Sequence, residues 1–234
     1  MYYPMFYFDP TYMFVIVGVI ICLLASAKMR STFQKYAKVR SHSGMTGREA
    51  AEEVLRRAGI YDVRVERVAG NLTDHYDPRT KVLRLSDATY GSNSIAAVGV
   101  AAHECGHAIQ HAQGYVPLKI RGSLVPVANL GSTLAWPLIL LGLLFTGESS
   151  VMFLNLGVLA FSLAVLFQIV TLPVEFNASN RAIRILGSSG IMYPEEVKDT
   201  KKVLSAAALT YVAGAAAAIL QLLRIVLLTG RRRD

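Results

Sequence analysis

The chain has 234 residues, enough for one or two domains. Hydrophobic residues make up 53% and charged residues 17%, with the apolar ones gathered in long blocks, which excludes an ordinary soluble protein. The net charge is +8, but Lys28, Arg30, Lys35, Lys38 and Arg40 follow the first apolar block with no acid among them. That is the pattern of a cytoplasmic flank beside anionic lipid, so the lipid bilayer is an expected partner and nucleic acid is not.

Residues 1–10 form a short aromatic tail. Residues 11–28 read as a first transmembrane helix, close to the length a ~30 Å hydrocarbon core requires at ~1.5 Å per residue. No Lys or Arg precedes this run and Asp9 is acidic, so it reads as an uncleaved anchor. Its N-terminus is then expected outside and residue 29 onward in the cytoplasm, in a multi-pass membrane protein.

Residues 29–123 then read as a small cytoplasmic α+β domain. Thr46 and Glu49 have capping-box spacing, Ala50, Ala51, Val54, Leu55 and Ala58 recur at helical spacing, and Gly59 stops the helix. Val63, Val65 and Val68 alternate with charged residues as in a half-buried strand. Asn71 to Thr80 is rich in turn residues, and Lys81 to Ser86 is a second short strand. Ser94 caps a helix over 94–113, ended by Gly114.

Residues 124–174 form a hairpin of two spans, 124–145 and 151–174, with a turn at 146–150; Gly131, Ala135 and Gly142 are helix-packing positions. Residues 175–203 are polar again, with a helix expected from Glu175 to Gly187. The last apolar run, 204–228, contains Thr210, Gln221 and Arg224 and is followed by Arg231 to Arg233. If it spans, those arginines end outside, against the positive-inside pattern; if it lies on the domain or the interface, they stay inside. Neither cysteine, Cys22 nor Cys105, is placed for a disulfide; Cys105 reads as packing.

Within the 94–113 helix, the expected metal-site helix, stands His103-Glu104-Cys105-Gly106-His107. Two histidines at i and i+4 share one helix face and can converge on a tetrahedral metal, while the Glu beside the first can act as general base on an activated water. His111 continues the series but lies about 12 Å along the axis from His103, beyond the reach of one ion with bonds of about 2.1 Å. Gln110 and Gln113 stand where the metzincin pattern needs Gly and His. The third ligand is therefore a later carboxylate. Glu148 falls on the far side of the hairpin, whereas Glu175 returns to the side of His103. Glu195 and Glu196 are alternatives, although after Pro194 they read as first-turn acids.

The His103 to Gln110 stretch, the later Leu172-Pro173-Val174-Glu175-Phe176-Asn177-Ala178-Ser179 and the Gly70 to Arg79 loop resemble the YugP-type neutral zinc metallopeptidases of bacterial membranes. The layout is more distantly similar to the HtpX and CAAX-prenyl membrane proteases. The resemblance covers nearly the whole chain. It implies a mostly α protein: integral membrane helices plus a small α+β, gluzincin-like zinc protease domain. It implies one catalytic Zn2+, with His103, His107 and Glu175 as ligands and Glu104 as catalytic base. In the wider gluzincin pattern an Asp often follows the ligand Glu four residues on and orients a ligand histidine; here that position is Ser179, whose hydroxyl can accept the same N–H bond without charge.

The expected activity is a membrane-embedded endopeptidase acting at the cytoplasmic face on membrane or membrane-proximal proteins. Its partners would be a protein or peptide substrate and a regulatory membrane partner or oligomer. His75, Arg181 and Tyr211 are candidates for stabilising the transition state. The strand of Val82, Leu83, Arg84 and Leu85 is a candidate for pairing with an extended substrate. The rival reading is a non-catalytic membrane scaffold with a retained zinc site. Metal transport is disfavoured because residues 11–28, 124–145 and 151–174 carry no ionisable residue at mid-span.

Overall fold

A computed structural model describes residues 9–230. The elements in chain order are α1 (Tyr12–Tyr36), α2 (Gly47–Arg57), β1 (Arg64–Val68), β2 (His75–Asp77), β3 (Val82–Ser86), α3 (Asp87–Tyr90), α4 (Ile95–Ala112), α5 (Val116–Leu144), α6 (Gly147–Ser188) and α7 (Pro194–Gly230). By length and composition α1, α5, α6 and α7 are each able to cross a membrane. The last apolar run is therefore part of a candidate span; Arg231 to Arg233 lie outside the described residues, as do residues 1–8 of the expected tail.

Helices run through boundaries that the sequence suggests: α1 continues past residue 28 and α5 begins before residue 124. Pro173 sits inside α6, and the expected span over 151–174 and the expected helix from Glu175 form one element. A proline removes one helical hydrogen bond, but the apolar and polar registers on either side are both helical, so the helix continues. Likewise α7 joins the polar segment from Pro194 to the apolar run. Glu196 behaves as a first-turn acid: its carboxylate accepts from the backbone N–H groups of Tyr193 (2.8 Å) and His42 (2.7 Å).

The described chain divides into two compact units. One comprises the segment ending at Ala25, Arg121–Val170 and the segment from Tyr211. Within it, small residues let helices approach. A Cβ on Gly131 would stand 2.5 Å from the carbonyl oxygen of Ala160, and one on Gly142 would stand 2.6 Å from the Leu154 side chain. Gly131, Ala135 and Gly142 are buried, as packing positions should be.

The other unit comprises Ser26–Ile120 and Thr171–Thr210. Its core packs Ala50, Ala51, Val54 and Leu55 of α2 with Val98, Ala101, Ala102 and Cys105 of α4 and Ala182 and Leu186 of α6. The Thr46–Glu49 capping box is formed and Gly59 adopts a left-handed backbone, as the sequence indicates. Cys105 is fully buried, with its sulfur 3.5 Å from the Ala51 carbonyl.

The sheet has three strands in the order β1-β3-β2, where the sequence suggests two. The extra strand, His75–Asp77, is only three residues long and lies among turn residues, too short to show alternation. Beyond it Asp77 accepts from Arg79 N–H and the Thr80 hydroxyl, and Lys81 takes a positive φ, turning the chain into β3. The result corrects the expectation that Val82, Leu83, Arg84 and Leu85 offer an edge to substrate. β3 pairs in parallel with β1 along its whole length and antiparallel with β2 at Val82, Leu83 and Arg84, and Asp74 takes the Ser86 N–H beyond that. The central strand has no open edge there.

Candidate metal centre

Ser94 starts α4 by accepting the Ala97 N–H on its hydroxyl (3.2 Å), and Gly114, with a φ of +64°, follows its end. Ala96, Ala97, Ala101, Ala102 and Ala108 keep the helix slim, and it is buried over most of its length. At Gly106 it meets α6 backbone to backbone: a Cβ there would stand 2.5 Å from the Ala178 oxygen and 3.0 Å from the Ala178 carbonyl carbon. His103, Gly106, His107 and Gln110 share this face by their i, i+3, i+4, i+7 spacing, and Glu175 and Ser179 face them from α6.

The approach brings together the three residues that the sequence singles out. One ligating atom from each of His103, His107 and Glu175 lies within 4.8 Å of the others. Glu175 Oε2 is 3.3 Å from His103 Nε2 and 3.6 Å from His107 Nε2. Ligands about 2.0–2.1 Å from a tetrahedral zinc are separated by roughly 3.3 Å, so these spacings fit that ion. The two imidazoles meet nearly edge-on, with centroids 4.9 Å apart. Glu175 is 2% exposed, and Glu104, next to His103, is also buried. Burial alone would lower the proton affinity of His107; the hydrogen bond to Glu175 and the charges of Glu104 and Glu175 outweigh it and raise it. An anionic pocket with two inward-facing imidazoles is a donor set for a dication.

Each histidine is held by its other nitrogen. Ser179 Oγ lies 3.1 Å from His103 Nδ1, in the position where an orienting Asp often stands. Gln110 Oε1 lies 3.0 Å from His107 Nδ1. Sequence reasoning weighed Gln110 only as standing where another pattern needs Gly; the available signal was a polar residue one turn beyond His107 in an apolar helix.

The other candidates are placed differently. His75 is exposed on β2; its Nδ1 donates to the Thr73 carbonyl (2.8 Å), which leaves Nε2 to accept from Arg84 (3.4 Å), and it lies outside the metal group. Arg181 donates to Asn177 Oδ1 (2.6 Å) and to Gln113 Oε1 and lies over the Tyr115 ring, a cation anchored between α4 and α6. His111 bonds through Nδ1 to the Tyr76 hydroxyl (2.9 Å) and is not among the three converging residues. Tyr211, on α7, belongs to the other compact unit.

The family described as "Putative neutral zinc metallopeptidase" matches residues 11–230. The chain is 49% identical over 210 residues to the "Putative membrane protease YugP" of Bacillus subtilis (strain 168), covering 90% of this chain and 92% of that protein. No solved structure matches significantly. With the match running from the start of α1 to the end of α7 and enclosing the His103/His107/Glu175 group, the chain belongs to the neutral zinc metallopeptidase family.

Proposed function

We propose that the chain is a membrane-embedded zinc endopeptidase. Its candidate ligands are His103, His107 and Glu175, its general base is Glu104, and its site opens at the cytoplasmic face. The observation that carries this reading is the convergence of two histidines and a buried carboxylate beside a second carboxylate that is no part of the converging group. Zinc held there would supply Lewis acidity toward a peptide carbonyl and toward water.

The chain's own residues do the rest. Glu104 takes the proton of the attacking water and passes it to the leaving amine. Ser179 and Gln110 hold the imidazoles at Nδ1 so that their Nε2 atoms face Glu175. Burial of Glu175 and Glu104 strengthens the field felt by a cation. The proposed substrates are membrane proteins or their juxtamembrane segments, because the ligand Glu175 lies on a helix apolar enough to cross a bilayer.

A structural zinc is usually closed by four protein ligands. Among the described residues the group contains three, which favours catalysis over a scaffold role. The test is Glu104→Gln, with zinc content measured by metal analysis and cleavage of labelled casein followed in detergent. Zinc should remain stoichiometric while turnover falls at least about 100-fold. Unchanged cleavage would overturn the mechanism.

A further inference from the structure

Gln110 is fully buried on α4, one turn beyond His107, and every polar atom of its amide is engaged. Its Nε2 donates to the Val174 carbonyl (2.8 Å) and to Asn177 Oδ1 (3.0 Å). Its Oε1 faces His107 Nδ1 (3.0 Å). The polarity of this chain of contacts is determined from its far end. A guanidinium has only donors, so Arg181 Nε must meet an acceptor, which makes the atom it meets the Asn177 oxygen. That oxygen then accepts from Gln110 as well. The Val174 carbonyl also can only accept, so both amide hydrogens of Gln110 are committed toward α6. Oε1 is left toward His107, and an amide oxygen cannot donate, so Nδ1 must carry the hydrogen. A neutral imidazole with hydrogen on Nδ1 has its lone pair on Nε2, the atom that faces Glu175.

We infer that Gln110 is a positioning residue for His107, and that Arg181, acting through Asn177 and Gln110, sets the tautomer in which His107 Nε2 is free to ligate a metal. The same amide grips the carbonyl of Val174, the residue before Glu175. One buried side chain thus orients one candidate ligand and holds the backbone that carries another. Ser179 does only the first of these, for His103. Arg181 lies four residues from Asn177 on α6 and also reaches Gln113, the residue at the C-terminal cap of α4, so its head is held from both helices. This inference rests on the reading of His107 as a zinc ligand.

A purely structural Gln110 would join α4 to α6 and do nothing more, and three variants separate the two roles. Gln110→Met fills a similar volume and removes all three polar contacts. Gln110→Glu keeps an acceptor for His107 and loses both donors to α6. Arg181→Met leaves Gln110 in place and removes the donor-only head. Zinc affinity is read by competition with a chromogenic chelator, coordination by the visible spectrum of the cobalt-substituted protein, and folding by melting of the metal-free form. Gln110→Met should bind zinc about 10–100-fold more weakly, with an altered cobalt spectrum. Gln110→Glu should stay within about tenfold of the native affinity even where its metal-free form melts lower.

Arg181→Met should weaken zinc several-fold without loss of helix, and it carries the test if Gln110→Met does not fold. The inference is overturned if a folded Gln110→Met keeps the native affinity and cobalt spectrum, or if Gln110→Glu loses zinc as fully as Gln110→Met. It is equally overturned if Gln110→Met does not fold and Arg181→Met binds zinc as the native protein does. If the native protein itself fails to bind zinc, the reading of the site fails instead.

Discussion

Gly106→Ala tests whether the backbone contact between α4 and α6 sets the ligand geometry. In an unconstrained helix interior the change would stabilise by about 1 kcal/mol, since glycine is the more costly residue there. Here the new methyl would stand 2.5 Å from the Ala178 oxygen, and the carbon and Cα of Ala178 are each 3.0 Å away. These are backbone atoms, so no rotamer change relieves the contact. A carbon–oxygen contact needs at least about 3.3 Å, so the helices must part by roughly 0.8 Å. Overpacking of this kind costs about 1–3 kcal/mol, and a clash with backbone belongs at the upper end, leaving a net loss of about 2 kcal/mol. The effect on the ligands should be larger in proportion. Metal–ligand distances tolerate about ±0.2 Å, a quarter of that displacement, so zinc affinity should fall by at least about tenfold.

The control is Gly99→Ala on the same helix, whose methyl would meet the Thr200 methyl at 2.8 Å, away from Glu175. It should lower the melting temperature and leave zinc affinity within about twofold of native, the response expected of packing that touches no ligand. Melting of the metal-free proteins and chelator competition on the folded ones make the comparison. A folded Gly106→Ala with native zinc affinity would refute the claim that this close approach positions the site.

Ser179→Ala removes the neutral acceptor at His103 Nδ1; zinc affinity should fall about tenfold while folding stability changes by only about 0.5–1.5 kcal/mol, measured by chelator competition and thermal melting. The Tyr76 hydroxyl, bonded to His111, is pushed up to about 12 by burial, with the charges of Asp62 and Asp77 adding to the effect. Its folded value therefore lies above the ordinary value near 10, so its contribution to stability is complete below about pH 10 and is lost as pH rises toward 12. Melting from pH 9 to pH 12 should show a shallower decline for Tyr76→Phe than for the native protein, and identical slopes would rule out this contribution.

The residues of the metal group were legible in the sequence because each depends on local spacing or on coarse topology. The pair His103 and His107 follows from helical periodicity alone. Glu175 follows from counting two spans after it, and Ser179 from a four-residue offset. The features that were not legible depend on tertiary neighbours. The short apolar run Val82 to Leu85 marks a strand but does not name what occupies its edges, so a central strand reads as an open one. His75 to Asp77 is too short to have a period, and only pairing with β3 makes it a strand. The division at 174/175 follows the change from apolar to polar residues, whereas α6 runs on through it, with Val174, Ala178, Ala182 and Leu186 all buried. Arg181 reads from the sequence as a candidate for direct chemistry, and Gln110 only as a departure from another pattern. Their placement depends on Asn177, which no pattern in the metal-site helix indicates.

The two histidines share an unusual form of support. Where the wider gluzincin pattern often sets a carboxylate behind a ligand imidazole, this chain sets a hydroxyl behind His103 and an amide behind His107. Both hold the ring orientation, and the amide oxygen, which can only accept, also fixes the Nδ1–H tautomer of His107 as a carboxylate would. They differ in charge. A dication beside Glu104 and Glu175 is balanced by two carboxylates, and an Asp at position 179 would make three in a buried space where charges interact strongly. A third negative charge would raise the donor strength of the imidazole, and a stronger donor set leaves the metal a weaker Lewis acid. Neutral orienting groups avoid this, but they hold the rings less strongly than a charged partner would. The compensation is mechanical: Gln110 is locked by two donors into α6, and Gly106 allows the helices to touch. Geometry that a charged hydrogen bond supplies elsewhere is here supplied in part by packing, so zinc affinity should respond to the separation of α4 and α6 as well as to changes in the orienting groups themselves.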